Sequence, residues 1–170
     1  MEQDPIPSLP QAPLSILFVC SGNSCRSPLA EAIARYMAKE FDLEGISFRS
    51  AGTSTIHGLP ASEGALAAAH RHGLALDGHL SAPLSQELIE TADLILTMSF
   101  SHLIRVVEMG GEGKSALLGA YAQEGDGNAT EPSVPDPFGG DDQVYETAFL
   151  TLEAYVRGML QRLASQEGDI

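Results

Sequence analysis

Ile16-Leu17-Phe18-Val19-Cys20-Ser21-Gly22-Asn23-Ser24-Cys25-Arg26-Ser27-Pro28 is the stretch on which the fold turns. Its first four residues form a wholly apolar run, as expected of a strand buried on both faces of a parallel sheet. Cys20 to Arg26 is short and mostly small or polar, the composition of a tight loop. Ser27-Pro28 reads as an N-cap with proline at the first helical position. Leu29, Ile33, Tyr36 and Met37 then recur on one face of a helix expected to reach about Phe41.

Outward from that unit, strands and helices alternate. Ile46 to Ser50 reads as a second strand, ended by Ala51-Gly52-Thr53. Residues 60–72 are Ala-rich and predict a helix that stops at Gly73, and Pro83 is expected to open a short helix through Glu90. Asp93 to Met98 is a third buried strand, residues 100–109 predict a helix, and Ser115 to Leu118 a weaker fourth strand. Residues 119–135, rich in Gly, Glu and Pro, are expected to be a surface loop. From Asp142 on, Tyr145, Phe149, Leu152, Val156, Met159 and Leu163 recur at helical steps and predict one long amphipathic helix. The alternation implies an α/β fold, an open sandwich with a central parallel sheet of about four strands flanked by helices. Residues 1–13, with four Pro and no periodicity, read as a flexible N-terminal arm, and residues 14–166 as a single domain.

Composition narrows the function. The 170 residues carry 23 acidic and 9 basic side chains, a formal charge of −14, and the cations are seven Arg and two Lys. That is too few to build the basic face that phosphate-driven nucleic-acid binding needs, or to hold an anionic lipid surface. No apolar run approaches the ~20 residues of a membrane span, and Met1 to Pro13 lacks the marks of a signal peptide. Two Cys within one six-residue window are no disulfide framework. The expectation is a cytoplasmic chain that binds neither nucleic acid nor membrane.

The loop carries the chemistry. In an open parallel sheet, ligands bind beyond the carboxyl ends of the strands, where Cys20 to Ser27 is expected to lie. Small residues and Gly22 let the backbone curl until successive N–H groups form an anion nest, and the helix N-terminus adds its positive end. Arg26 supplies a planar fork for two phosphate oxygens. The field that binds a phosphate also favours a thiolate at Cys20, and Ser27 can donate to the sulfur. A thiolate under a bound phosphoryl group is an in-line nucleophile. The bland alternative is that Cys20 is a buried structural cysteine.

A displaced alkoxide or amine needs a proton. Val134-Pro135-Asp136-Pro137-Phe138-Gly139 presents one carboxylate on a backbone that proline restricts on both sides, with Phe138 able to wall the pocket. Taken alone, Asp-Pro is more often just a turn.

Together, the loop Val19 to Pro28 and Asp136-Pro137-Phe138-Gly139 resemble the low-molecular-weight protein tyrosine phosphatase family, over most of residues 14–165 in element order. The resemblance implies that Cys20 is the nucleophile, that Arg26 binds phosphate and stabilises the transition state, and that Asp136 is general acid and then base. It implies a phosphocysteine intermediate hydrolysed by water, with no metal or cofactor, on a phosphorylated protein substrate. Ser21, Gly22, Asn23, Ser24, Cys25 and Ser27 would line the phosphate loop, with Asn23 and Ser27 holding its shape, and Phe138 would contact the leaving group. His79 matches a histidine that braces the loop Asn. For His57, His70, His72 and His102 a surface role is expected.

Two departures bear on the substrate. Gly139 stands where tyrosine-specific members carry a second aromatic, and Ser24 where they carry a bulky aliphatic. Both features resemble the bacterial protein-arginine-phosphatase branch, although Ser24 is not the Thr expected there. Phosphotyrosine and phosphoarginine therefore both stay open. A thiol-coupled arsenate reductase would need further cysteines downstream, and none follows Cys25. A non-catalytic phosphate-binding module would not need Cys20, Arg26 and Asp136 together. A Cys20–Cys25 disulfide is a further expectation, provided the loop brings the two Cα atoms within roughly 4.4–6.8 Å.

Overall fold

The computed structural model describes residues 14–123 and 132–168. Four strands, β1 (Leu14–Cys20), β2 (Ile46–Gly52), β3 (Leu94–Thr97) and β4 (Ser115–Leu117), form one parallel sheet in the order β2-β1-β3-β4. The helices between and after them are α1 (Arg26–Glu40), α2 (Glu63–Arg71), α3 (Gln86–Thr91), α4 (Phe100–Val106), α5 (Leu118–Ala122) and α6 (Asp142–Gly168). The open α/β sandwich expected from the alternation is the fold observed.

The central strands are apolar from Ile16 to Cys20 and from Leu94 to Leu96 because each faces two layers. Along β1, Ile16, Phe18 and Cys20 point into the larger core, shared with α1, α2, α5 and α6, while Leu17 and Val19 point into a smaller one. In β3, Leu94 and Leu96 join the first core and Ile95 joins the second, with Leu88, Ile89 and Val106. This two-residue alternation sets both faces of the sheet at once. The stripe of α6 is buried as its spacing predicts, from Tyr145 to Leu163.

The element boundaries teach several corrections. Helix α1 starts at Arg26 with Cys25 as N-cap and no side-chain cap, so Ser27 is not the cap. Tyr36 is exposed rather than buried, because Ala30 and Ala34 bring α1 close to its neighbours on the face that Leu29, Ile33 and Met37 share. Helix α2 begins later than residue 60, at Glu63, where Ser62 Oγ accepts from Ala65 N. Pro83 opens no helix: it bridges to Gly52, and Ser85 caps α3 instead. After Val106 the chain continues as a π-helical turn, Val107–Gly111. The segment expected to be loop from residue 119 begins as α5, while residues 124–131 and the arm 1–13 lie outside the described residues.

Strand β1 sits between β2 and β3, the strands reached in opposite directions across the sheet. The crevice beyond its carboxyl end is therefore where a doubly wound sheet receives a ligand. Cys20 is the last residue of that strand.

Candidate active site

The loop after β1 is shaped by what its carbonyls bind. Cys20 O accepts from Thr53 N, Ser21 O from Ser54 N and Ser24 O from Ser62 N, each at 2.9 Å. Asn23 O accepts from His79 Nε2 at 2.7 Å. With the carbonyls turned outward, the intervening N–H groups turn inward. Among the described residues, no N–H of Ser21 to Cys25 donates to another protein group. Unpaired N–H groups in a curled loop framed by its neighbours are what an anion nest requires.

Asn23 closes the curl. Its φ of +54° is left-handed, a conformation Asn tolerates better than most residues. Its carboxamide then takes three partners: Oδ1 accepts from Ala82 N at 2.9 Å, and Nδ2 donates to Ser27 Oγ at 2.9 Å and to Ser50 Oγ at 3.0 Å. Ser50 in turn donates to Glu31 Oε1 at 2.6 Å. Gly52 is required where it stands, since a Cβ there would lie 2.4 Å from Ser21 O.

These contacts give the loop a direction. Ser27 Oγ receives a proton from Asn23, so its own hydroxyl proton is free for Cys20 Sγ, 2.9 Å away, with Ala51 O a longer 3.5 Å option. Cys20 Sγ is thereby placed as an acceptor, the role of a thiolate. This also explains why Ser27 is not a helix cap: its hydroxyl is committed to the sulfur.

Arg26 is nearly buried, and its guanidinium is held on two sides. Nη1 donates to Val134 O at 2.8 Å and Nη2 reaches Ser21 Oγ at 3.5 Å. Nε is buried with no protein partner. An unpaired buried N–H beside a ring of backbone donors fits a tetrahedral oxyanion, which would take Nε and Nη2 in the bidentate manner of arginine.

The Asp136 segment approaches from the other side. Val134 N donates to Met98 O at the end of β3, and Val134 O holds Arg26, so one residue ties this segment to both sheet and phosphate loop. Asp136 Oδ1 accepts from Phe138 N at 3.1 Å, and Oδ2 lies 3.8 Å from Arg26 Nη2. The Asp136 side chain is half exposed and Phe138 is 72% exposed.

The family model for low molecular weight phosphotyrosine protein phosphatase matches residues 15–168. The chain belongs to that family. Among its relatives, the low molecular weight protein-tyrosine-phosphatase Etp of Escherichia coli K12 is 36% identical over 90% of each chain. The protein-arginine-phosphatase of Bacillus subtilis 168 is 34% identical over 88% of this chain and 97% of its own. Among solved structures, a Cys-to-Ser mutant of the YwlE arginine phosphatase with a phosphorylated active-site serine superposes with a TM-score of 0.79. That structure is 34% identical and covers 88% of this chain and 95% of the other.

In this family member, Cys20, Ser21, Gly22, Asn23, Ser24, Arg26 and Ser27 are gathered into one loop, with Asp136 and Phe138 at its edge. Cys25 keeps its backbone in the loop, but its side chain turns away from the nest. Its Sγ lies 3.1 Å from Ser62 Oγ and 3.5 Å from Tyr145 OH, while the Cys20 sulfur lies against Ser27, and both thiols are free. Burial pushes the Tyr145 phenol above its usual range, and the Cys25 contact adds to that. Tyr145 lies flat against Gly64, where a Cβ would meet its ring at 2.2 Å. Sequence reasoning missed this Cys25–Ser62–Tyr145 group, although Tyr145 stood out in the α6 stripe.

His79 braces Asn23 as the resemblance implies. His102 corrects the expectation of a surface role, for it is 3% exposed. Its Nε2 lies 2.8 Å from Ser21 Oγ and its Nδ1 3.0 Å from Ser99 Oγ. Burial first and the Arg26 charge second push its pKa down to about 4, against a smaller opposing pull from Asp136. It is a neutral imidazole at physiological pH. His70 and His72 do lie outward, paired with Asp77 and Glu146, and His57 is exposed. Among the described residues no three His, Cys, Asp or Glu side chains gather as a metal-holding group, and no helix is long and apolar enough to cross a membrane.

Proposed function

We propose that this phosphatase removes phosphoryl groups from protein side chains with Cys20 as nucleophile, Arg26 as phosphate clamp and Asp136 as general acid and base. The observation that carries the reading is the Cys20 Sγ–Ser27 Oγ contact of 2.9 Å beneath a ring of unused N–H groups, with Arg26 Nε unpaired beside it. The thiolate attacks phosphorus, the bond from phosphorus to the leaving oxygen or nitrogen breaks, and protonated Asp136 supplies the leaving group's proton. Water then attacks the phosphocysteine while the Asp136 carboxylate takes its proton. The P–S bond breaks, inorganic phosphate leaves and the thiolate is restored. Charge building on the equatorial oxygens is met by the backbone N–H groups and Arg26, already fixed in place. The relative trapped with a phosphorylated active-site serine supports a covalent phosphoenzyme.

For the substrate, the features of this pocket favour phosphoarginine. Ser24 is half-buried, with its Oγ 3.7 Å from Cys25 Sγ, and leaves open a wall that a branched aliphatic would fill. Gly139 removes one aromatic face, and Asp136, half exposed, is able to protonate the leaving guanidino nitrogen and then, as a carboxylate, to pair with the guanidinium formed. Phosphotyrosine is the second reading, favoured by the exposed ring of Phe138, against which an aryl group would stack. Rates on phosphoarginine and phosphotyrosine peptides, measured side by side without metal, decide between them. Ser24→Ile is expected to move the ratio of kcat/KM values towards phosphotyrosine by roughly tenfold, the worth of a pocket contact of ~1–3 kcal/mol. An unchanged ratio would mean that position 24 does not select the substrate.

A further inference from the structure

Arg26 is held by two acceptors, and they differ in kind. Val134 O is a backbone carbonyl and can only accept. Ser21 Oγ is a hydroxyl that accepts from Arg26 only when its own proton is directed elsewhere. The group placed to take that proton is His102 Nε2, 2.8 Å away, in the tautomer that carries its own proton on Nδ1. The remaining donors then fall into one order. Arg26 Nη2 donates to Ser21 Oγ, Ser21 donates to His102 Nε2, and His102 Nδ1 donates to Ser99 Oγ. Ser99 is left to donate to Ser101 Oγ, 3.0 Å away. The opposite tautomer would make Nε2 a second donor to Ser21 Oγ, which its two lone pairs allow, but would leave the Ser21 proton with no protein acceptor among the described residues.

We infer that His102 is a positioning residue for the phosphate clamp, fixing through Ser21 the plane in which Arg26 offers Nε and Nη2 to a phosphate. This rests on the reading of Arg26 as the group that holds the phosphoryl oxygens. It goes beyond that reading by assigning a role in the reaction to a residue of the β3–α4 corner, far from the loop in sequence. Burial suits His102 to the task, because a solvated imidazole would exchange tautomers and partners. Without the imidazole, the Ser21 hydroxyl is free to rotate and Arg26 keeps Val134 O and the longer approach to half-exposed Asp136.

The test reads oxyanion affinity directly, by calorimetric titration of inorganic phosphate and of tungstate, beside kcat and KM on an aryl phosphate. His102→Leu is expected to weaken oxyanion binding about tenfold, the effect of one mis-set charge-assisted hydrogen bond. Ser21→Ala, a change in a half-buried loop side chain, is expected to do the same. The double variant should be no weaker than either single one, since both cut the same chain. His102→Gln, whose amide reaches the Nε2 position, should recover much of the loss. Additive losses, unchanged oxyanion affinity in folded Ser21→Ala, or no rescue by Gln would each overturn the inference. Because binding is read without turnover, failure of the phosphatase reading would show separately, as a wild-type chain that binds oxyanions but hydrolyses none of the phosphopeptides.

Discussion

The two halves of the site are held in different ways. The phosphate loop, residues 20–27, is locked: four of its carbonyls are bonded outward, Asn23 has three side-chain partners, and Cys20, Asn23, Arg26 and Ser27 are buried. The acid segment, residues 134–139, is tied to the sheet and the phosphate loop at Val134 and has Pro137 buried, while the residues around Pro137 are exposed. Beyond Val134, Asp136 has one local backbone contact and a 3.8 Å approach to Arg26, and Phe138 is 72% exposed. The chemistry accounts for the contrast. A phosphoryl group is the same on every substrate and is best met by a fixed cradle, whereas leaving groups differ in size and must be admitted and released.

The sharpest way to break this comparison is to remove one function from each half. Cys20→Ser should abolish turnover, about 10⁴-fold or more, while the nest and Arg26 go on binding tungstate at nearly native affinity. Loss of both together would mean that the cradle is not preformed. Asp136→Asn should also leave oxyanion binding nearly intact but slow the phosphorylation step by roughly 10²- to 10⁴-fold for poor leaving groups, and much less for an activated aryl phosphate. A loss that is equal across leaving groups would remove Asp136 from the role of acid. The pattern that supports the comparison is binding conserved in both variants, with sensitivity to the leaving group in the second alone.

How far the sequence could be read follows the same division between local and distant causes. Strands β1 and β3 were legible because burial on both faces leaves a continuous apolar run, and α6 because its stripe keeps helical period over six positions. The phosphate loop was legible because its donors lie within eight consecutive residues. Ser27 was misread, since Ser before Pro is a local capping signal, while its actual partner is set by the way the loop folds back on Cys20. Tyr36 was misplaced because periodicity does not say which edge of a stripe a neighbouring helix covers. His102 had no local signal at all. Only the parallel pairing of β1 with β3 brings the residues after Thr97 beside Ser21, 81 positions away in sequence.

The smallest of the expected effects tests the locked half from inside. His102 has an ordinary pKa of 6.5 that the fold lowers to about 4, through burial and then through Arg26. In the unfolded chain the imidazole regains its ordinary value. Above pH 6.5 it is neutral in both states and stability does not depend on it. Between about pH 6.5 and 4 the unfolded chain takes up a proton that the folded chain refuses, so stability falls as the pH falls. Below about 4 both states are charged and this loss levels off. Asp136 opposes the shift only in part, being half exposed. Thermal melting of the wild type should therefore decline from pH 6.5 towards 4 more steeply than that of His102→Gln, which has no imidazole to titrate. Parallel slopes for the two proteins would show that the buried ring gives up no stability on acidification, and that the cradle is less closed to protons than its hydrogen bonds require.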